Sequence, residues 1–243
     1  MSSPTPPHMN RKIAVLIDGD NAQPSLLDKI LAEASKYGMI TIRRIYGDWT
    51  TSGMGGWKET LHTYAIQPIQ QFRYTIGKNA TDSAMIIDGM DIMYEGGVDG
   101  FCIVSSDSDY TRLATRIREK GFFVMGVGKK TTPRAFVNAC EVFVYTENLS
   151  PEPDAGKSRK ASSASKSSMP DPVPLLRQAF DMAVQEDGWA PLNIMGQHLR
   201  QLDPGFDSRT YGYKQLSLLL QAHGEAFAVK KGKKGLQVKL AGR

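Results

Sequence analysis

Two segments of this 243-residue chain place acids at the point where an apolar run stops. Ile13-Ala14-Val15-Leu16-Ile17 leads straight into Asp18-Gly19-Asp20-Asn21, and Phe101-Cys102-Ile103-Val104 leads into Ser105-Ser106-Asp107-Ser108-Asp109. A third acid, Asp82, stands at the expected start of a helix that carries Ala84, Met85, Ile86, Ile87 and Met90. Gathered carboxylates repel: an isolated pair at about 4 Å opposes itself by roughly 1 to 4 kcal/mol, depending on the local dielectric. A cation must offset that cost. Mg²⁺ or Mn²⁺ suits carboxylate and water oxygens and keeps open positions for phosphate. The other use of Asp after a strand is to cap the next helix, which suits Asp20 and Asp109 and stays open for Asp82. Asp88 and Asp91 lie six and nine positions beyond Asp82. Helical rotation carries both away from it, and they read as solvated surface acids.

Other chemistries find less support. Cys102 and Cys140 form no Cys-x-x-Cys pair, and His8, His62, His198 and His223 show no ligand spacing, so zinc is disfavoured and any metal is held by oxygen. Gly126-Val127-Gly128-Lys129-Lys130-Thr131 lacks the third glycine of a dinucleotide fingerprint and the Ser or Thr that comes after Gly-Lys in a P-loop. Lys129, Lys130 and Arg134 nevertheless surround a loop after a strand, where they serve either as a phosphate-backbone contact or as an ordinary basic turn; Lys78 is a similar case. Gln23, Trp49, Trp57 and Tyr110 are candidates for stacking on nucleobases. Core packing suits Trp57 better, whereas Trp49 sits in a Gly-rich loop.

The elements that must position these groups alternate. Strands are expected over 13–17, 39–45, 66–72, 101–105, 122–127 and 142–145. Helices are expected on the stripe of Leu26, Leu27, Ile30, Leu31 and Ala34 and over 57–64, 83–94, 110–119 and 134–139. This is an α/β pattern, a doubly wound and mostly parallel sheet. Ligands of such sheets bind beyond the carboxyl ends of the strands, where the strand order reverses, and both acidic segments are at carboxyl ends.

Charge and composition divide the chain further. Residues 1–149 hold 16 Lys and Arg against 16 Asp and Glu, whereas 150–243 hold 14 against 9, so the net charge of +5 lies wholly in the second part. The stretch 150–170 is rich in Ser, Pro and Lys and offers almost nothing to bury, as a flexible linker would. Residues 1–10 read as a disordered lead-in, which leaves domains over 11–149 and 171–241. No apolar run approaches the ~20 residues of a membrane span, and no leader is recognisable, so a soluble cytoplasmic protein with no membrane partner is expected. After the linker, helices are expected over 173–184, 192–202 and 210–222. Strands over 226–229 and 236–240 then flank Lys230-Lys231-Gly232-Lys233-Lys234-Gly235, completing a winged-helix pattern. The stretch 226–243 has six basic side chains and no acid. That suits a polyanion, although Lys also serves solubility and edge protection.

Asp18-Gly19-Asp20-Asn21, Lys78-Asn79-Ala80-Thr81-Asp82 and Ser105-Ser106-Asp107-Ser108-Asp109-Tyr110, in that order, resemble the NYN domain, a branch of the PIN-like ribonucleases, over about 11–148. Asp187-Gly188-Trp189-Ala190-Pro191-Leu192 and Tyr211-Gly212-Tyr213-Lys214-Gln215-Leu216 resemble the OST-HTH/LOTUS domain over about 171–241. Gly188 and Gly212 there suit turning and close packing better than contact.

The first resemblance implies a ribonuclease dependent on Mg²⁺ or Mn²⁺. Its acidic cluster would be Asp18, Asp82, Asp107 and Asp109, with Asp18 and Asp107 as main ligands and Asn21 as a further polar contact. One or two such ions would activate a water for in-line attack on the phosphodiester. The second implies RNA binding, with a preference in some members for G-rich or structured RNA, or docking of a protein partner. A non-catalytic RNA-binding scaffold is the main rival. A haloacid-dehalogenase-type phosphohydrolase, suggested by Asp18-Gly19-Asp20, is disfavoured by Asn21-Ala22 and by the basic second domain.

Overall fold

Branched aliphatic residues favour extended backbone, and a run buried on both faces needs helices on both sides. The computed structural model, which describes residues 10–72, 80–149, 170–232 and 235–241, shows this arrangement. Contacts divide the described residues into two compact units, parted between Leu149 and Ser150. Nearly all of the expected lead-in and linker lies outside the described residues.

In the first unit, strand β1 (Lys12–Asp18) is buried from its second residue onward. Around it lie β2 (Met39–Gly47), β3 (Gln67–Gln70), β4 (Gly100–Val104), β5 (Phe123–Gly128) and β6 (Val142–Tyr145). They form one six-stranded sheet in the order β3-β2-β1-β4-β5-β6. Every pairing is parallel. The chain therefore builds outward from β1 through β2 to β3, then crosses back to lay β4 on the other side of β1. The reversal between β1 and β4 is where such a sheet opens a crevice.

Successive side chains of a strand point to opposite faces. Ile13, Val15 and Ile17 accordingly pack with helix α1 (Leu27–Ser35) through Leu27, Ile30, Leu31 and Ala34, and with Met54 and Trp57. Ala14 and Leu16 pack on the other face against helices α3 (Ala80–Glu95), α4 (Thr111–Glu119) and α5 (Arg134–Ala139). Each wholly buried aliphatic side chain there contributes roughly 1.5–3 kcal/mol. The helix expected over 57–64 is a 3-10 turn at Ser52–Trp57 followed by helix α2 (Lys58–Thr63). Helix α3 starts earlier than expected, which places Asp82 inside its first turn.

The second unit packs helices α6 (Val173–Ala183), α7 (Leu192–Leu202) and α8 (Leu216–Ala222) on a small antiparallel sheet. That sheet has the order β7-β9-β8, with β7 at Ala190–Pro191, β8 at Phe227–Gly232 and β9 at Gly235–Leu240. Two expectations need correction. The helix expected over 210–222 is broken: Ser208–Tyr211 is a 3-10 turn that ends at Gly212, whose φ of 82° is left-handed, and α8 begins only at Leu216. The hairpin strands pair as far as Gly232 opposite Gly235, so Lys230 and Lys231 belong to β8 rather than to its tip. Gly188 and Gly212 do serve turning, with φ of 77° and 82°.

Candidate active site

The carboxyl end of β1 turns sharply because its next groups are tied down. Gly19 donates its amide to the Tyr46 carbonyl at 2.9 Å, and the amides of Asn21 and Ala22 donate to the Asp18 carbonyl at 3.2 and 2.9 Å. A Cβ at Gly19 would lie 2.7 Å from Met54 Cε and 2.8 Å from the Tyr46 carbonyl oxygen, so a side chain there would have to displace backbone. The indole of Trp57 closes the turn by donating to the Gly19 carbonyl at 3.3 Å.

The Asp18 carboxylate beneath this turn is 2% exposed. Its Oδ2 accepts from Ser105 Oγ at 2.8 Å and its Oδ1 from the Asp20 amide at 3.1 Å. Ser105 Oγ in turn accepts the Asp107 amide at 3.0 Å. One hydroxyl thus joins the ends of β1 and β4. Burial pushes the Asp18 carboxyl up to about 6, against lowering by the Ser105 and Asn21 hydrogen bonds and with further raising by the charges of Asp82 and Asp20.

After β4 the chain turns on Asp107, whose Oδ1 accepts the Asp109 amide at 2.9 Å and so starts the 3-10 turn Ser108–Tyr110 that enters α4. The capping expected of Asp109 thus falls to Asp107. From the first turn of α3, Asp82 extends Oδ1 to the Tyr110 hydroxyl, which donates at 2.7 Å. One ligand atom from each of Asp82, Asp107 and Asp109 lies within 4.8 Å of the other two. Burial raises the Asp82 carboxyl above its ordinary range; the Tyr110 bond lowers it, and the charges of Asp107, Asp109 and Asp20 add to the rise.

These donors fit a small hard cation. With bonds of about 2.1 Å, an octahedral Mg²⁺ holds its ligand oxygens about 3 to 4.2 Å apart, close to the span of the three acids. Asp18, expected as a main ligand, is not one of the three acids brought together. It is joined to Asp107 through Ser105, and both of its oxygens are hydrogen-bonded. A carboxylate so buried is poorly placed to attack a phosphate as the dehalogenase reading requires.

The remaining expected residues divide. Asn21 is half-buried and hydrogen-bonds Asp18. Lys129, Lys130 and Arg134 are exposed beyond β5, with the Lys129 amide donating to Ser106 Oγ at 2.9 Å and the Lys130 amide to Glu147 Oε1 at 2.9 Å. Lys78 lies outside the described residues, as do Lys233 and Lys234. Trp49 is half-buried against the core, and its indole N–H is taken by the Ile69 carbonyl at 3.0 Å. Tyr110 is wholly buried. That removes Tyr110 as a stacking surface, and the packing of Trp49 argues against it; Trp57 is core, as its surroundings suggested. Asp91 is exposed as expected, but Asp88 is no solvated acid: it pairs with Arg44 at 2.5 Å and accepts the Tyr46 hydroxyl. On the second unit Lys230 and Lys231 are exposed, and the Lys230 ammonium lies 3.6 Å from the centroid of the Trp189 ring.

Sequence reasoning missed the bridging of Ser105 and the Tyr110–Asp82 bond. The available signal was a hydroxyl at each end of the acidic segment 105–110. Trp189 stood out in the sequence through its family resemblance alone, with no sign that it would partner a lysine.

A family model for the NYN domain matches residues 12–148, and one for the OST-HTH/LOTUS domain matches 165–238. No match is found among curated proteins. Among solved structures, a protein of unknown function from Vibrio parahaemolyticus is 19% identical, with a TM-score of 0.48, over 60% of this chain and 96% of its own. An uncharacterized protein from Nitrosomonas europaea is 27% identical, with a TM-score of 0.30, over 38% of this chain and 94% of its own. The first match spans more than half of the chain and contains all the acids of the site, so the protein belongs to the NYN domain family and carries an OST-HTH/LOTUS domain after it.

Proposed function

We propose that the protein is a metal-dependent ribonuclease whose second domain captures RNA. The NYN domain is a PIN-like nuclease family and OST-HTH/LOTUS domains bind RNA, which supports the two halves of this reading. The observation that carries it is the meeting of Asp82, Asp107 and Asp109 beside the β1–β4 reversal.

In this reading those three acids hold Mg²⁺ or Mn²⁺. Such an ion, when bound, supplies an activated water and stabilises charge on the scissile phosphate. Asp18 acts through Ser105 to fix the Asp107 amide, and its buried charge adds to the negative field that favours a cation. Asn21 steadies Asp18. Lys129, Lys130 and Arg134 lie past the end of β5, suited to the phosphates flanking the cleaved bond. Lys230 and Lys231 on β8 of the second unit favour the same polyanion.

The direct test is cleavage of labelled single-stranded and structured RNAs by the purified chain in Mg²⁺ or Mn²⁺ and in EDTA. Cleavage in metal that EDTA stops is the expected result. Binding with no metal-stimulated cleavage would reduce the protein to an RNA-attachment module.

A further inference from the structure

A carboxylate can meet a cation with one oxygen or with both, and the choice selects among ions. Ca²⁺ takes six to eight oxygens at about 2.3–2.6 Å and readily accepts a carboxylate by both oxygens, whereas Mg²⁺ demands about 2.0–2.1 Å and near-octahedral geometry. In the acidic cluster Asp107 and Asp82 each have an oxygen engaged by a donor of the protein. Asp107 Oδ1 accepts the Asp109 amide at 2.9 Å, and Asp82 Oδ1 accepts the Tyr110 hydroxyl at 2.7 Å.

The Tyr110 donor is held rigidly. Its side chain is 0% exposed and belongs to the core formed with Met85, Leu113 and Phe136, with 6.5 Å between the Tyr110 and Phe136 ring centroids. Its hydroxyl therefore stays put while Asp82 orients to it. A side chain with two rotatable bonds, reaching from the first turn of α3, has its Oδ1 held in place by that bond.

We propose that Tyr110 is a positioning residue that presents Asp82 to the cation by one oxygen and thereby biases the site toward Mg²⁺ and Mn²⁺ over Ca²⁺. This rests on the metal site proposed above and deepens it: the core of the domain, through one phenol, sets which ion the surface cluster accepts. Hydrogen bonds to ligating groups commonly change metal affinity by about 10-fold or more.

The test is binding, apart from turnover. Mn²⁺ is titrated into the full chain and its free fraction followed by electron paramagnetic resonance, with Mg²⁺ and Ca²⁺ as competitors, for the parent and for Tyr110→Phe. Mg²⁺ is expected to displace Mn²⁺ from the parent at a concentration no higher than Ca²⁺. In Tyr110→Phe, Mn²⁺ affinity should fall by about 10-fold and the competition should shift toward Ca²⁺. Unchanged affinity and an unchanged Mg²⁺ to Ca²⁺ ratio in a folded Tyr110→Phe protein would overturn the role of Tyr110 while leaving the metal site intact. Parent protein that binds no Mn²⁺ would overturn both. Should the variant not fold, the parent alone decides: displacement of Mn²⁺ by Ca²⁺ at lower concentration than by Mg²⁺ refutes the proposal.

Discussion

The acidic edge of the large sheet and the basic hairpin of the small one are built on opposite plans. At the acidic edge each of Asp18, Asp82 and Asp107 accepts a hydrogen bond from a group anchored in the fold, and one hydroxyl, Ser105 Oγ, serves two strands at once. On the hairpin Lys230 and Lys231 are exposed, with Trp189 under the first. Each plan matches a need: chemistry depends on positions held to a fraction of an ångström, whereas capture of a polyanion depends on how much charge is offered. Conservative changes should therefore damage the first region and scarcely touch the second.

The sharpest test of that contrast is Asp107→Asn, which preserves shape and the turn but removes one charge from the cluster. Metal-dependent cleavage should fall by on the order of 100-fold or more, while RNA affinity in EDTA stays within about twofold. An equal loss of binding and cleavage would erase the division of labour.

The scaffold comes next. A Cβ at Gly126 would meet Phe143 Cδ2 at 2.4 Å and Cys140 Sγ at 2.8 Å. Gly126→Ala should cost about 1–3 kcal/mol, read as a lower urea midpoint for the first unit, because buried rings have no room to retreat.

Asp18 gives a smaller effect of opposite sign. Its carboxyl ionises at about 6 in the folded protein, against an ordinary 3.8. The folded state thus binds the proton more tightly than the unfolded chain; the stability this confers is complete below about pH 4 and lost as the pH rises through 6. In EDTA at pH 7 and above, Asp18→Asn should be more stable than its parent by on the order of 1–2 kcal/mol, less than the full shift because the amide donates where the carboxylate accepted from Ser105. Near pH 4 the gain should vanish. A constant difference across this range would show that something other than charge is responsible.

The hairpin should give the mildest response. Lys230→Gln with Lys231→Gln should flatten the salt dependence of RNA binding by a slope of at most about 1.4, at about 0.7 per lost phosphate contact on single strands. Cleavage at saturating RNA should be unchanged. An unaltered slope would assign these lysines to protecting the open edge of β8.

Much of the first unit was legible because two-sided burial leaves a plain mark: Ile13 to Ile17 and Phe101 to Val104 can be little else than central strands, and the acids just after them must lie at the sheet's carboxyl edge. The three acids that meet there were among the four expected; that Asp18 falls outside this group was not legible. Asp18 lies at a strand end and looks foremost, yet it is 2% exposed and its Oδ2 is taken by the hydroxyl of Ser105, 87 positions away. Asp88 misled for a related reason: helical rotation correctly turned it away from Asp82, but nothing local announced Arg44 and Tyr46 waiting on β2. In the second unit the break at Gly212 hid inside an apolar helical pattern. Lys230 and Lys231 looked like loop because alternation fails where an edge strand carries lysine on both faces.

The span of 87 positions between Ser105 and Asp18 has an outcome for synthesis. Neither Asp82 nor the end of β1 that Asp18 anchors can form the site alone, since Asp107, Asp109 and the Ser105 hydroxyl that accepts the Asp107 amide are all translated later. If the cluster cuts RNA as proposed, a growing chain stays harmless to the message it is read from until the ribosome has released residues well past Asp109, and the hydrolytic centre comes into being together with the folded domain.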